Sequence, residues 1–299
     1  MLGYLPAEPA AELAHAILQD MLAGERPPNP RLFSRLGPHL SSAGIMALVQ
    51  RAAASPYAEE RVDAWLELAP YLPIDQQPDS YRAILTHVPA IWAMGAYARL
   101  LVRLVPHLPV DLLPHALAAA RAIVGKPTHE DRSPGAAENE HDQRYALLGE
   151  ALLAVLVRLP AEEHPVIAEE CIRAAHHTSA SHRARALLRL LPHLTSERQA
   201  AITLEALTAI SEPTRYTWGR SQVLGELVPW LVRAGSTALL APGELRAHWQ
   251  RAVRGFTHAG RAKLLEILVA GVPWLSTLAP RADLDAISDS VIAIVECWP

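Results

Sequence analysis

Six phrases of one form, Pro38-His39-Leu40, Pro70-Tyr71-Leu72, Pro106-His107-Leu108, Pro192-His193-Leu194, Pro229-Trp230-Leu231 and Pro273-Trp274-Leu275, close six leucine-rich segments of the chain. Self-similarity at a period of roughly 30 to 45 residues marks units that cannot bury their own apolar faces and must stack on neighbours. The prolines at 38, 70 and 106 lie 32 and 36 residues apart, and the step from 192 to 229 is 37. Helical-hairpin repeats have periods of about 34 to 47 residues.

The clearest copy runs from Arg183 to Leu194. Its leucines at 187, 190, 191 and 194 recur at the i, i+3, i+4, i+7 spacing of an amphipathic helix, helix A of the unit. Pro192 has no amide hydrogen and clashes with the carbonyl one turn back, which predicts a kink or an end there. Thr195-Ser196 is then expected to cap helix B, with Ala200, Ile202, Leu204, Ala206, Leu207 and Ile210 on its apolar face. The same grammar appears in Arg61 to Pro70, in Arg220 to Pro229 and, stretched by three residues, in Arg261 to Pro273. Near Arg144 to Pro160 the first proline is missing and only Leu159-Pro160 remains, so that helix is expected to run straighter. The chain is 51% hydrophobic with two Phe, so burial rests on Leu, Ala, Val and Ile, which suit closely packed helices. The expected fold is all-α: one α-solenoid domain over residues 1–299, built from about seven antiparallel helical hairpins.

Tyr4-Leu5-Pro6 followed by Ala10 to Leu22 matches Leu108-Pro109 followed by Ala116 to Val124, so the array is entered at a helix B. That start implies an improvised cap or a piece of a longer repeat protein. At the other end, Asp283 to Val295 mixes Asp283, Asp285 and Asp289 with Leu284, Ile287, Val291 and Ile294, a pattern suited to capping a stack.

The phrase carried by Arg183 to Thr195, echoed by Arg61 to Pro73 and Tyr97 to Pro109, resembles the degenerate HEAT- and TPR-like repeats of bacterial signalling proteins, notably the C-terminal sensor regions of STAND-type ATPases. The proline inside helix A is closer to HEAT than to TPR. The resemblance covers nearly the whole chain and implies an interaction surface with no fixed catalytic residues and no cofactor. The chain has no nucleotide-binding segment, so ATPase activity is not part of what the resemblance implies.

Two ladders follow from the repeat. His39, Tyr71, His107, His193, Trp230 and Trp274 occupy one structural position; they either grip a partner or cover helix ends with rings that carry one polar tip. Arg61, Arg144, Arg183, Arg220 and Arg261 sit near the starts of successive A helices, expected to pair with a local carboxylate or a carbonyl of the preceding helix; an anion-binding edge is the other reading. Residues 126–142 hold five acidic and two basic side chains without an apolar stripe and read as a loop insertion, either a partner contact or a tolerated excursion.

The remaining observations are mostly exclusions. A formal charge of −4 lacks the basic excess that phosphate backbones demand, so nucleic acid ranks below protein as a partner. Cys171 and Cys297 are too few for a disulfide framework, and the first residues do not read as a signal peptide, which predicts a reducing, cytoplasmic setting. The longest apolar stretch, Tyr145 to Pro160, carries Glu150 and Arg158 and is too short to span a membrane. No nucleophile elbow, phosphate-binding glycine loop or zinc-protease helix occurs, and His176, His177, His182 and Cys171 lack a metal-ligand spacing. The expectation is a non-enzymatic module that binds a protein or peptide on a concave face, possessing neither metal nor catalytic residues. The alternatives are a nucleic-acid-binding HEAT-like protein, with Arg, Trp230, Trp249 and Trp274 as contacts, and a self-assembling scaffold.

Overall fold

In the computed structural model the described residues are 6–24, 32–91, 93–126 and 136–212, together with 223, 226, 227, 229 and 230. Leucine and alanine at helical spacing do what the pattern demands: every regular element among these residues is a helix. The α-helices are α1 (Ala7–Ala23), α2 (Phe33–Leu36), α3 (Ser42–Ala53), α4 (Ala58–Leu68), α5 (Gln77–His87), α6 (Met94–Leu104), α7 (Leu113–Arg121), α8 (Ala136–Leu156), α9 (His164–His176), α10 (Ala180–Leu190) and α11 (Ser196–Ser211).

Proline sets where several of them stop. Five helices pass without a break into a three-residue 3₁₀ turn with proline at its centre: Gly37–His39, Ala69–Tyr71, Val88–Ala90, Val105–His107 and Leu191–His193. The residue before each proline still donates the last α-helical hydrogen bond, for example Ala69 to the Trp65 carbonyl and Val105 to the Leu101 carbonyl. Proline has no hydrogen to give, so the ladder stops there. The residue two positions on, Leu40, Leu72, Ile91, Leu108 or Leu194, turns extended and donates its amide to the carbonyl of the residue before the proline, at 3.0 to 3.2 Å. In all five turns the residue before the proline is buried and the proline is exposed.

Contacts divide the chain into two compact units, Met1–Glu140 with Glu150–Ala161, and His141–Gly149 with Glu162–Pro299. In the first, α2 packs on α4 and α4 on α6, while α5 packs on α7, so alternate helices touch in series as well as consecutive ones. Its core is largely aliphatic and includes Leu48, Leu68, Ile84, Leu101 and Val105, with the rings of Phe33, Trp65, Tyr81 and Tyr97 buried among them. Each fully buried aliphatic side chain contributes about 1.5–3 kcal/mol. The exposed side of α1 is mixed, with Glu8, Glu12, His15, Gln19 and Asp20 beside Ala11, Leu13 and Ala16, while Ala10, Ala14 and Leu18 are buried. In the second unit α10 packs between α9 and α11 around Ile172, Leu187, Leu191 and Leu207.

Three local expectations change. The loop assigned to residues 126–142 is helical from Ala136 onward, because α8 begins there. The run Ala-Ala-Glu-Asn-Glu lacks an apolar stripe, yet its residue types are mostly good helix formers and continue into the apolar Tyr145 to Leu156. Thr195 occupies the N-cap position of α11 with extended backbone but makes no side-chain capping bond. And the turn at Val88-Pro89-Ala90-Ile91 is a further copy of the repeated ending, with alanine where the others carry a ring. Pro229 and Trp230 are helical, whereas Leu231 and the phrase 273–275 lie outside the described residues.

Candidate functional site

Carbonyls around the repeated turn take side-chain donors at the end of the helix: that of the Leu or Ile two residues after the proline does so in four copies, joined by that of the proline at Pro70, Pro89 and Pro106 and by that of the preceding residue at Leu191. Groups there need donors, and cations are favoured by the helix dipole. Four turns are closed by a long side chain. Gln77 Nε2 donates to the Pro70 and Leu72 carbonyls at 3.4 and 3.0 Å. Gln199 Nε2 donates to Leu191 and Leu194, both at 3.0 Å. Lys126 Nζ donates to Pro89 and, at 3.0 Å, to Ile91. Arg158 donates through Nη1 to Pro106 and through Nη2 to Leu108, the latter at 3.0 Å. Both glutamines stand seven residues after their proline, a spacing visible in the sequence once the turn is known. The two cations come from later elements and could not have been assigned from spacing.

The ring ladder is seated in these turns. Tyr71 is half-buried; its hydroxyl donates to the Ser34 carbonyl at 3.0 Å, the group one turn before Pro38 that the proline leaves without an amide partner. Its ring also lies over Gly37, where an added Cβ would come within 2.2 Å of Cδ2. His39 and His193 are half-buried and His107 is exposed. His193 meets His164 edge to face at 6.2 Å between centroids. Trp230 is half-buried, and Trp274 lies outside the described residues.

Of the arginine ladder, Arg61 Nη1 donates to the Ser55 carbonyl at 2.6 Å, just past the end of α3. Arg183 Nη1 lies 3.4 Å from Glu212. Arg144 is half-buried on α8, and Arg220 and Arg261 lie outside the described residues. The position nine residues before the proline, held by Arg61 and Arg183, is Tyr97 in α6. Tyr97 is fully buried, donates to the Ala119 carbonyl at 2.7 Å, and has its phenol pushed up to about 12 by burial. The Lys126 ammonium lies 4.7 Å from its ring centroid, and desolvation lowers the lysine's pKa.

A polar cluster that sequence reasoning missed sits in the second unit. Asp142 of α8 accepts the Ser179 amide at 2.6 Å and contacts His182 Nδ1 at 2.7 Å, while Ser179 Oγ lies 3.3 Å from the same Nδ1. Serine, histidine and aspartate together invite a catalytic reading, but a relay needs the serine and the carboxylate on opposite ring nitrogens. Both meet Nδ1 here. The arrangement is instead a helix cap supplied from a distance: Ser179 is the N-cap of α10, and Asp142 satisfies its amide as a capping-box glutamate would. Asp142→Ala should therefore lower the stability of this unit by about 1–3 kcal/mol. Ser179→Ala should change it by within about 0.5 kcal/mol. Urea midpoints for the two variants in the opposite order would contradict the assignment. Beside this cap, Tyr145 stacks on His177 at 4.4 Å, with His141 at 4.8 Å from Tyr145.

Burial, with a smaller contribution from the Glu170 carboxylate, pushes the Cys171 thiol up to about 12, which leaves it a poor nucleophile. His193 has its pKa lowered, by desolvation first and by His164 second. The unfolded chain thus binds more protons than the folded one below about pH 6.5. Stability is unaffected above that value and falls as pH drops through it toward the folded pKa. Across pH 7.5 to 5, chemical denaturation of His193→Gln should show a shallower loss than the unsubstituted protein; parallel curves would exclude His193 as a contributor. Among the described residues no three His, Cys, Asp or Glu side chains are placed to hold a metal ion, and no helix is long and apolar enough to cross a membrane. Comparison with family models, with curated proteins and with solved structures finds no match to this chain.

Proposed function

We propose that the chain is a helical-repeat interaction module, an α-solenoid of about seven hairpins that binds a protein or peptide, as the sensor region of a larger signalling protein would. The observation that carries this reading is the five-fold recurrence of one proline turn, each copy burying the residue before the proline and exposing the proline itself. The serial contacts α2 to α4 to α6 and α5 to α7 support the stacking it requires. A stacked array repeats one edge many times, and such edges and concave faces serve extended partners better than small substrates.

A photo-crosslinking residue placed at the exposed His107 tests the reading in extract from the cells that make the protein. It predicts capture of a defined protein, competed away by excess unlabelled chain. Absence of any captured protein, together with turnover of a small substrate by the purified chain, would contradict it.

A further inference from the structure

The five proline turns share one backbone geometry, yet in only four of them does a side chain donate to the carbonyl of the Leu or Ile two residues after the proline. Gln77, Lys126, Arg158 and Gln199 close the turns at Pro70, Pro89, Pro106 and Pro192. At the first turn, Gly37–His39, the Leu40 amide bonds back to Gly37 as in the others, at 3.2 Å. Tyr71 takes the Ser34 carbonyl, one turn earlier. Among the described residues no side chain donates to the Pro38 or Leu40 carbonyl, and neither residue has a further bond. The self-closing route is blocked by sequence: seven residues after Pro38 stands Ile45, buried in the core, where Pro70 and Pro192 have glutamine.

We infer that the turn at Pro38 to Leu40 receives a basic side chain, arginine or lysine, of a protein partner. The sister turns define the chemistry. Where the donor comes from the turn's own following helix it is glutamine; where it comes from a distant element it is a cation, Lys126 or Arg158. A cation suits the site because a charge-assisted bond to a carbonyl is roughly twice as strong as a neutral one. Arg35, three residues before Pro38, does not oppose this: Arg103 stands three residues before Pro106, and that turn holds Arg158. Arg103 is itself paired, with Asp63 at 2.6 Å and Glu67 at 2.5 Å. Pro38 is exposed and Leu40 half-buried, so the pair is reachable from solvent.

The inference rests on the interaction-module reading only for the source of the side chain; the site itself is tested without a partner. The probe is the peptide acetyl-Ala-Arg-Ala-amide, with norleucine for arginine as control, titrated into the isotope-labelled full chain. The Pro38 and Leu40 carbonyl resonances are read through the amides of His39 and Ser41. Arginine-dependent shifts of both should saturate at roughly ten millimolar, the range expected of a single charge-assisted pair. Thr195, which reports the Leu194 carbonyl taken by Gln199, should not move. In Gln199→Ala, which opens that turn, Thr195 should join the response with the same preference for arginine. No shift at His39 and Ser41, or equal shifts with norleucine, would overturn the site. A silent Thr195 in Gln199→Ala would overturn the claim that the turn geometry selects the cation. Failure here leaves crosslinking at His107 free to succeed, and failure there leaves these shifts free to appear, so the two outcomes are separable.

Discussion

Tyr97→Ala lowers the stability of the first unit by about 3–5 kcal/mol, and Tyr97→Phe by about 1–3 kcal/mol. The first figure is the cost of deleting a large, fully buried ring from a close-packed helical core. The second isolates the hydroxyl, whose loss leaves the Ala119 carbonyl without its 2.7 Å donor. The site stands where the equivalent helices carry Arg61 and Arg183, so Tyr97→Arg is also informative. It should be at least as damaging as alanine, since it places a charge against Lys126, which lies over the ring. Denaturant midpoints at constant slope measure all three. A phenylalanine variant as unstable as the alanine one would assign the whole effect to the hydroxyl and contradict this division.

Gly37→Ala is the second large effect, about 1–3 kcal/mol, and its cause is contact rather than backbone freedom. Gly37 has ordinary helical dihedrals, φ −46° and ψ −47°, so alanine fits the chain locally. The difficulty is Tyr71: the new methyl would lie 2.2 Å from Cδ2 and 2.4 Å from Cε2 of a ring held in place by its bond to Ser34. Overpacking of that kind forces the ring or the helix to move. The two positions must therefore be coupled. Gly37→Ala with Tyr71→Ala should be less destabilised than the sum of the single variants by about 1–2 kcal/mol, within the range seen for residues in contact. Additive single effects would mean that the ring is not fixed on the glycine.

Helix was legible in the chain because Leu, Ala and Ile recur at its period, and the endings were legible because proline enforces them through a missing hydrogen. The hidden turn at Pro89 escaped because Ala90 replaces the ring that made the other phrases recognisable, although the backbone needs only the proline and the aliphatic residue after it. Residues 136–142 were misread for a related reason: a polar run without an apolar stripe looks like a loop, yet helix propensity and continuity with Tyr145 to Leu156 carry α8 through it. Arg61 meets a carbonyl just past the preceding helix, that of Ser55, the kind of partner expected of the ladder, whereas the partner of Arg183 is Glu212, beyond the end of α11 and not a local carboxylate. The donors that close the turns were not legible in the same way. Gln77 and Gln199 share a spacing that is short and local, whereas Lys126 and Arg158 reach back 37 and 52 residues, distances that only the packing of helices determines. The cap that Asp142 places on Ser179 is of the second kind, across 37 residues.

The central proposal, that the repeated turns belong to a stacked array offering one extended binding surface, makes a direct demand on molecular shape. A compact globule of 299 residues has a radius of gyration of about 19 Å. Seven hairpins stacked at about 10 Å a step extend to roughly 70 Å. Small-angle X-ray scattering of the monomer, with its mass fixed by in-line light scattering, should give a radius several ångström above the globular value and an asymmetric pair-distance distribution with a long tail. A radius at the globular value with a symmetric distribution would contradict the array.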